Sequence, residues 1–167
     1  MIRPALPGDA PQICEIYNHY VEETVITFEE QTVSGAEMSR RIADTTTTLP
    51  WLVTEIDGSI AGYAYATTWK SRSAYRYAVE SAIYVKPVLT GRGIGHDLYA
   101  ALVAELRERR LHTVIGAIAL PNPASIALHE KLGFRKIGIF PEVGWKLSAW
   151  VDVGYWELVL NSVDVTH

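Results

Sequence analysis

The segment Thr90-Gly91-Arg92-Gly93-Ile94-Gly95 places three alternating glycines between a strand-like run and a helix-like run. Such a turn aims several backbone N–H groups into one concavity at a helix N-terminus, which by geometry and dipole is a pyrophosphate site. A Cβ at these positions would hold a phosphate away. The spacing is Gly-x-Gly-x-Gly, not G-x-G-x-x-G, and no acidic strand end follows about twenty residues on, which argues against a dinucleotide fold. No Gly-Lys-Ser/Thr follows, so the turn is not a P-loop. The plain alternative is a flexible turn without a ligand.

Glu80 is the second residue with chemistry to offer. It interrupts the apolar run Val79 to Val85, on a face shared with Ala82 and Tyr84. A carboxylate there is costly unless it opens onto a cleft or is engaged. Otherwise it is an exposed strand-face residue or an ion-pair partner of nearby arginines. His129 stands about two turns into a helix that begins after Asn122. Imidazole titrates near neutrality and suits proton transfer; the alternative is a capping or core-edge histidine. His19, His96, His112 and His167 sit at no metal-ligand spacing, and Cys14 is the single cysteine, so no metal site and no intrachain disulfide is expected. The loop Trp69-Lys70-Ser71-Arg72-Ser73-Ala74-Tyr75-Arg76-Tyr77 is basic and aromatic. A guanidinium fork suits a planar carboxylate or a tetrahedral oxyanion. The same loop also reads as a solvated basic segment, or as a platform for single-stranded nucleic acid.

These residues need elements to position them. A strand is expected near Ile2, and Asp9 with Gln12 resembles a capping box. Ile13, Ile16, Tyr17 and Tyr20 then trace one face of a helix. A weaker helix follows from about Ser34 to Ala43, and Thr45 to Thr48 reads as a loop. Trp51–Ile56 and Ile60–Thr67 flank Asp57-Gly58, a type I′ hairpin signal. Val79–Val85 is a strand, and Leu98, Leu102 and Leu106 mark a helix running to about Arg110. Val114–Leu120 is a strand. Asn122-Pro123 opens the next helix, and Gly133 closes it. Arg135–Ile139 and Val151–Leu160 are the last strands. The pattern predicts a single mixed α/β (α+β) domain over residues 1–167 with a mostly antiparallel sheet.

Composition bounds the function. Hydrophobic residues are 49% and charged residues 20% of the 167, which excludes a disordered chain. Fifteen Lys and Arg against nineteen Asp and Glu leave a net charge of −4, so no nucleic-acid partner is expected. The first residues lack the pattern of a secretory leader, and no apolar run is long enough to suggest a membrane span. One cysteine fits a cytoplasmic setting.

Thr90 to Gly95 resembles the Q/R-x-x-G-x-G/A acyl-CoA loop of the GNAT acetyltransferase superfamily, with Thr90 in place of the usual Gln or Arg. Asn122-Pro123-Ala124-Ser125 through Leu128-His129-Glu130-Lys131-Leu132-Gly133-Phe134 resembles its second signature. Asn18-His19-Tyr20, Pro50-Trp51-Leu52-Val53, Trp69-Lys70-Ser71-Arg72, Ala78-Val79-Glu80-Ser81 and Trp150-Val151-Asp152-Val153-Gly154 are similar to the phosphinothricin and methionine sulfoximine (sulfone) N-acetyltransferase group. The resemblance covers nearly the whole chain. It implies a sheet flanked by helices, with a splayed central parallel strand pair formed by the strands from Val79 and Val114. It implies acetyl-CoA as cofactor, a small amino-acid acceptor and a homodimer. Trp145, Trp150 and Trp156 would then be core or interface.

By the same resemblance Glu80 is the general base and His129 assists proton transfer. Acetyl-CoA would be held by Ile83, Val85, Thr90, Gly91, Arg92, Gly93, Ile94, Gly95, Asn122, Ser125 and Lys131. Lys70, Arg72 and Tyr75 would contact the acceptor, and Phe28 would wall its pocket. A strand N–H near Ile83 or Tyr84 would meet the oxyanion. Two other readings stand beside this one: the same fold with another amine acceptor, and an acyl-CoA-binding module without turnover. A polycationic acceptor would want an acidic pocket, which the Lys70 to Arg76 loop does not supply.

Overall fold

A computed structural model describes residues 1–160. Seven strands form one sheet in the order β1-β2-β3-β4-β5-β7-β6. In chain order these are β1 (Ile2–Pro4), β2 (Trp51–Ile56), β3 (Ser59–Thr68), β4 (Ala78–Val85), β5 (Thr113–Ala119), β6 (Arg135–Lys146) and β7 (Ala149–Val159). The helices are α1 (Ala10–Glu23), α2 (Gly35–Thr46), α3 (Ile94–Glu108) and α4 (Pro123–Lys131). All pairings are antiparallel except β4 with β5. Among the described residues no helix is long and apolar enough to cross a membrane.

Strand alternation builds a core on each face of the sheet. Tyr63 and Tyr84, with Trp51 and Val53, pack under α1 and α2 against Ile13, Ile16, Met38 and Ile42. Ala64, Ala66, Val79 and Val114 face the other way, onto Leu98, Leu102 and Leu106 of α3.

Most local signals act as expected. Asp57 (φ 50°) and Gly58 (φ 75°) both take the positive φ of a type I′ turn. Asn122 Oδ1 accepts the Ser125 N–H at 3.1 Å, and Gly133 takes φ 92° just beyond α4. Three expectations are corrected. Asp9 does not cap α1: it has helical φ and ψ because it ends the short turn Pro7–Asp9. Its carboxylate reaches back to accept the Leu6 N–H at 2.8 Å and two Arg3 guanidinium N–H groups at 2.8 and 2.9 Å. Gln12 instead accepts the Ile60 N–H at 2.8 Å. Thr45 and Thr46 belong to α2, and the Thr46 hydroxyl bonds back to the Ile42 carbonyl at 2.7 Å. Finally, β6 runs past Ile139 to Lys146. A register shift between Phe140 and Gly144 absorbs Pro141, which an edge strand tolerates.

The decisive feature for function is a divergence. The last parallel rung between β4 and β5 is Ser81 with Gly116. Beyond it β4 stays paired with β3 as far as Val85, and β5 stays paired with β7 as far as Ala119. The two strands therefore splay, and β4 keeps a partner on only one side.

Candidate active site

The splay opens a cavity of about 410 Å³, lined by Tyr17, Phe28, Glu29, Tyr65, Glu80, Ser81, Asn122, Ser125 and His129, among others. A second chamber of about 420 Å³ is lined by Tyr20, Val85, Thr90, Gly91, Gly93, Gly95 and Lys131, among others. Ile26, Ile83, Asn122 and Ser125 line both, so the two run into each other.

The second chamber holds the glycine turn. Gly93 precedes α3 at φ 83°, and no side chain caps that helix. Its first-turn N–H groups have no intrahelical partner. Thr90 turns its hydroxyl back onto the Pro87 carbonyl at 2.9 Å, so the turn offers backbone donors here. Nine of the eleven expected acyl-CoA residues line one or other cavity; Arg92 and Ile94 line neither. Arg92 is exposed, and the side chain of Ile94 is only half-buried.

Glu80 sits in the first cavity, half-buried, level with Thr67 on β3 and Ile115 on β5. Burial lifts its carboxyl above the ordinary range, and the Lys70 ammonium pulls partly the other way. A carboxyl shifted this way holds a proton more readily than an exposed one, which suits a base.

His129 is 4% exposed. Its Nδ1 lies 2.8 Å from the Ser125 carbonyl, which holds a proton on that nitrogen. Nε2 therefore accepts, and the Tyr99 hydroxyl donates to it at 3.0 Å. Tyr99 is itself 2.6 Å from Ser81 Oγ. Burial lowers the imidazole pKa, so the ring is neutral at physiological pH. The chain Ser81–Tyr99–His129 ends at the last rung before the splay. Because β4 side chains alternate, Glu80 approaches the cleft from the α1/α2 face and this chain from the α3 face. Tyr99 and Ser81 were not among the expected site residues. Ser81 carried a signal, a hydroxyl between Val79 and Ile83, whereas nothing in the sequence marks Tyr99, beside Leu98 on the α3 helix.

Of the residues expected to contact the acceptor, Phe28 lines the Glu80 cavity. Lys70 lies over the Trp69 ring at 4.5 Å, in an adjoining groove with Tyr155. Arg72 and Tyr75 lie on an exposed turn outside the cavity lining. Arg76 folds onto Tyr77 at 4.6 Å, as a solvated basic residue would. The three tryptophans separate: Trp156 is buried and donates to Glu130 at 3.2 Å, while Trp145 and Trp150 are exposed and edge-packed with centroids 4.9 Å apart. His167 lies outside the described residues.

A splayed parallel pair, a glycine turn at a helix N-terminus and a carboxylate between them define the acetyltransferase class of fold. The chain matches the family described as an acetyltransferase (GNAT) domain over residues 2–154, and it belongs to that family. It is 37% identical to phosphinothricin N-acetyltransferase of Streptomyces viridochromogenes, across 93% of this chain and 85% of that protein. It is 36% identical to the L-methionine sulfoximine/L-methionine sulfone acetyltransferase of Salmonella typhimurium, across 96% and 94%. The solved structure of a GNAT phosphinothricin acetyltransferase from Sinorhizobium meliloti, in complex with acetyl-CoA, superposes with a TM-score of 0.95 at 36% identity, across 100% of this chain and 91% of that one.

Proposed function

We propose that this chain is a single-domain, acetyl-CoA-dependent N-acetyltransferase. Its acceptor is the α-amino group of an amino acid with a second, tetrahedral polar head: phosphinothricin, methionine sulfoximine or methionine sulfone. The observation that carries the reading is the placement of Glu80, a raised carboxyl in a cavity continuous with the glycine-turn chamber. The names of the relatives support the acceptor class.

The residues fit acetyl-CoA. The uncapped first turn of α3 suits the pyrophosphate, and the open edge of β4 beyond Ser81 suits the amides of a pantetheine arm. When bound, acetyl-CoA supplies the thioester that the amine attacks. Glu80 removes the ammonium proton, directly or through water, and so supplies a neutral nucleophile. Of the two candidate β4 donors, Tyr84 turns its backbone toward β3, so the Ile83 N–H, on the open edge, stabilises the developing oxyanion. His129 assists proton transfer as a neutral ring, through its bond to Tyr99. Arg72, Lys70 and Tyr75 take the acceptor's charged head, and Phe28 walls its side chain. The setting is cytoplasmic, where buried Cys14 stays a free thiol.

Free-thiol release from acetyl-CoA against an amine panel tests this. Turnover with phosphinothricin and the two methionine derivatives, and little with ordinary amino acids, spermidine or an aminoglycoside, is the expected result. Acetyl-CoA binding without release on any amine would overturn it. Arg72→Ala is expected to raise the acceptor KM about tenfold, as loss of one charged hydrogen bond would. The KM for acetyl-CoA should stay unchanged; a rise there instead would put Arg72 on the cofactor side.

The active form is a homodimer. Ile137, Phe140, Val143, Trp145 and Trp150 of β6 and β7 are all more than half exposed. That much apolar surface on one edge hairpin suits a second copy. Light scattering on the purified protein checks this; a mass of one chain at micromolar concentration would contradict it.

A further inference from the structure

Lys146 ends β6 and is only 2% exposed. Its ammonium donates to the Thr27 carbonyl at 2.7 Å and to the Tyr20 carbonyl at 3.4 Å. No carboxylate among the described residues pairs with it; Glu29 and Glu30 act on it only through space. A buried ammonium held by carbonyls alone carries a desolvation cost that an apolar side chain would not. What the cation holds explains its presence. Thr27 lies on the segment between α1 and α2, and its hydroxyl is fixed from the other side by Tyr17 at 2.8 Å. The next residue is Phe28, a wall of the Glu80 cavity. The Phe28 ring fills the space that a Cβ on Gly144 would need. Gly144 and Lys146 stand two residues apart on β6. One end of a distant hairpin thus grips the pocket segment at two points, the Thr27 carbonyl and the Phe28 ring.

We propose that Lys146 is a positioning residue for the acceptor pocket, a latch that fixes Thr27 and thereby holds Phe28 beside Glu80. The inference rests on the acetyltransferase reading for its kinetic consequence but not for its structural one. The latch couples acceptor affinity to the β6–β7 hairpin, whose tip carries Trp145 and Trp150.

Lys146→Met keeps an unbranched apolar stem, one heavy atom shorter than lysine, and removes the donors. Hydrogen exchange on the full chain is expected to quicken over residues 24–33 while the rest of the sheet stays protected. The acceptor KM is expected to rise about tenfold, as for loss of one charged hydrogen bond, with the acetyl-CoA KM unchanged. Lys146→Gln keeps an N–H donor on a shorter, uncharged arm and should give intermediate values. A folded Lys146→Met protein with wild-type exchange over 24–33 overturns the latch. So does a parallel rise in both KM values. If the Met variant does not fold, Lys146→Gln decides alone: faster exchange over 24–33 supports the latch, and wild-type exchange overturns it. If the wild type turns over no acceptor, the functional reading fails, and the exchange comparison still decides the latch.

Discussion

Glu80→Gln is expected to lower kcat by ~100-fold or more, within the 10²–10⁴ range of positioned general bases. The substitution keeps size and polarity and removes only the ability to take a proton. An amino-acid ammonium is almost fully protonated at neutral pH, so an amide at this place leaves no group to neutralise it. The environment of Glu80 sharpens the prediction. Burial raises its pKa, so the carboxylate form is lost as pH falls through a value above the ordinary carboxyl range. The wild-type kcat/KM should therefore fall on the acid side at that raised value. The limb should be missing from the Gln variant. Binding of acetyl-CoA, followed by calorimetry, should be unchanged in the variant, because Glu80 does not line the glycine-turn chamber. Unchanged turnover would remove Glu80 from the mechanism.

Gly116→Ala is expected to disable the protein from the opposite face of the sheet. A Cβ at Gly116 would lie 2.5 Å from His129 Nε2 and 2.7 Å from Cδ2. The ring cannot yield cheaply. Both of its nitrogens are bonded, and it packs edge-on against Tyr99 and Phe134, with centroids 5.0 Å away in each case. Overpacking of this kind costs about 1–3 kcal/mol, and parting His129 from Tyr99 adds to it. A fall in Tm of roughly 2–12 °C follows at 2–4 °C per kcal/mol for a chain of this size. Gly116 also forms the last rung before β4 and β5 part, so the displacement falls where the cleft begins. Turnover at 25 °C should drop with stability. Gly138→Ala is the control, since nothing lies within 4 Å of the Cβ it would add. Equal melting of both variants would show that the His129 ring is not locked.

What could be read from the chain alone follows the range of the interaction involved. Asp57-Gly58, Asn122-Pro123, Gly133 and the Thr90–Gly95 turn act through backbone dihedrals or within one helical turn. Their conformations are nearly decided by the residues themselves. Glu80 was legible as a charge that an apolar strand does not need. The alternation of β4 was enough to put Glu80 on one face with Ala82 and Tyr84.

Other features depended on what the folded sheet brings together. Asp9 read as the cap of α1, but it belongs to the turn before that helix, and its carboxylate joins the Leu6 N–H to Arg3 on β1. His129 read as an ionisable acid or relay. Its neutral state follows from Ser125, Tyr99 and burial, and Tyr99 is thirty residues away in the chain. Arg72 sits near Glu80 in sequence but on an exposed turn outside the cavity. Nothing in the sequence marks Lys146, and only the return of β6 against the α1–α2 segment buries it. By itself, then, the sequence determined most of the elements and the chemistry on offer. The tertiary structure decided which groups meet, because pairing β5 with β7 and parting it from β4 joins residues whose local patterns carry no trace of one another.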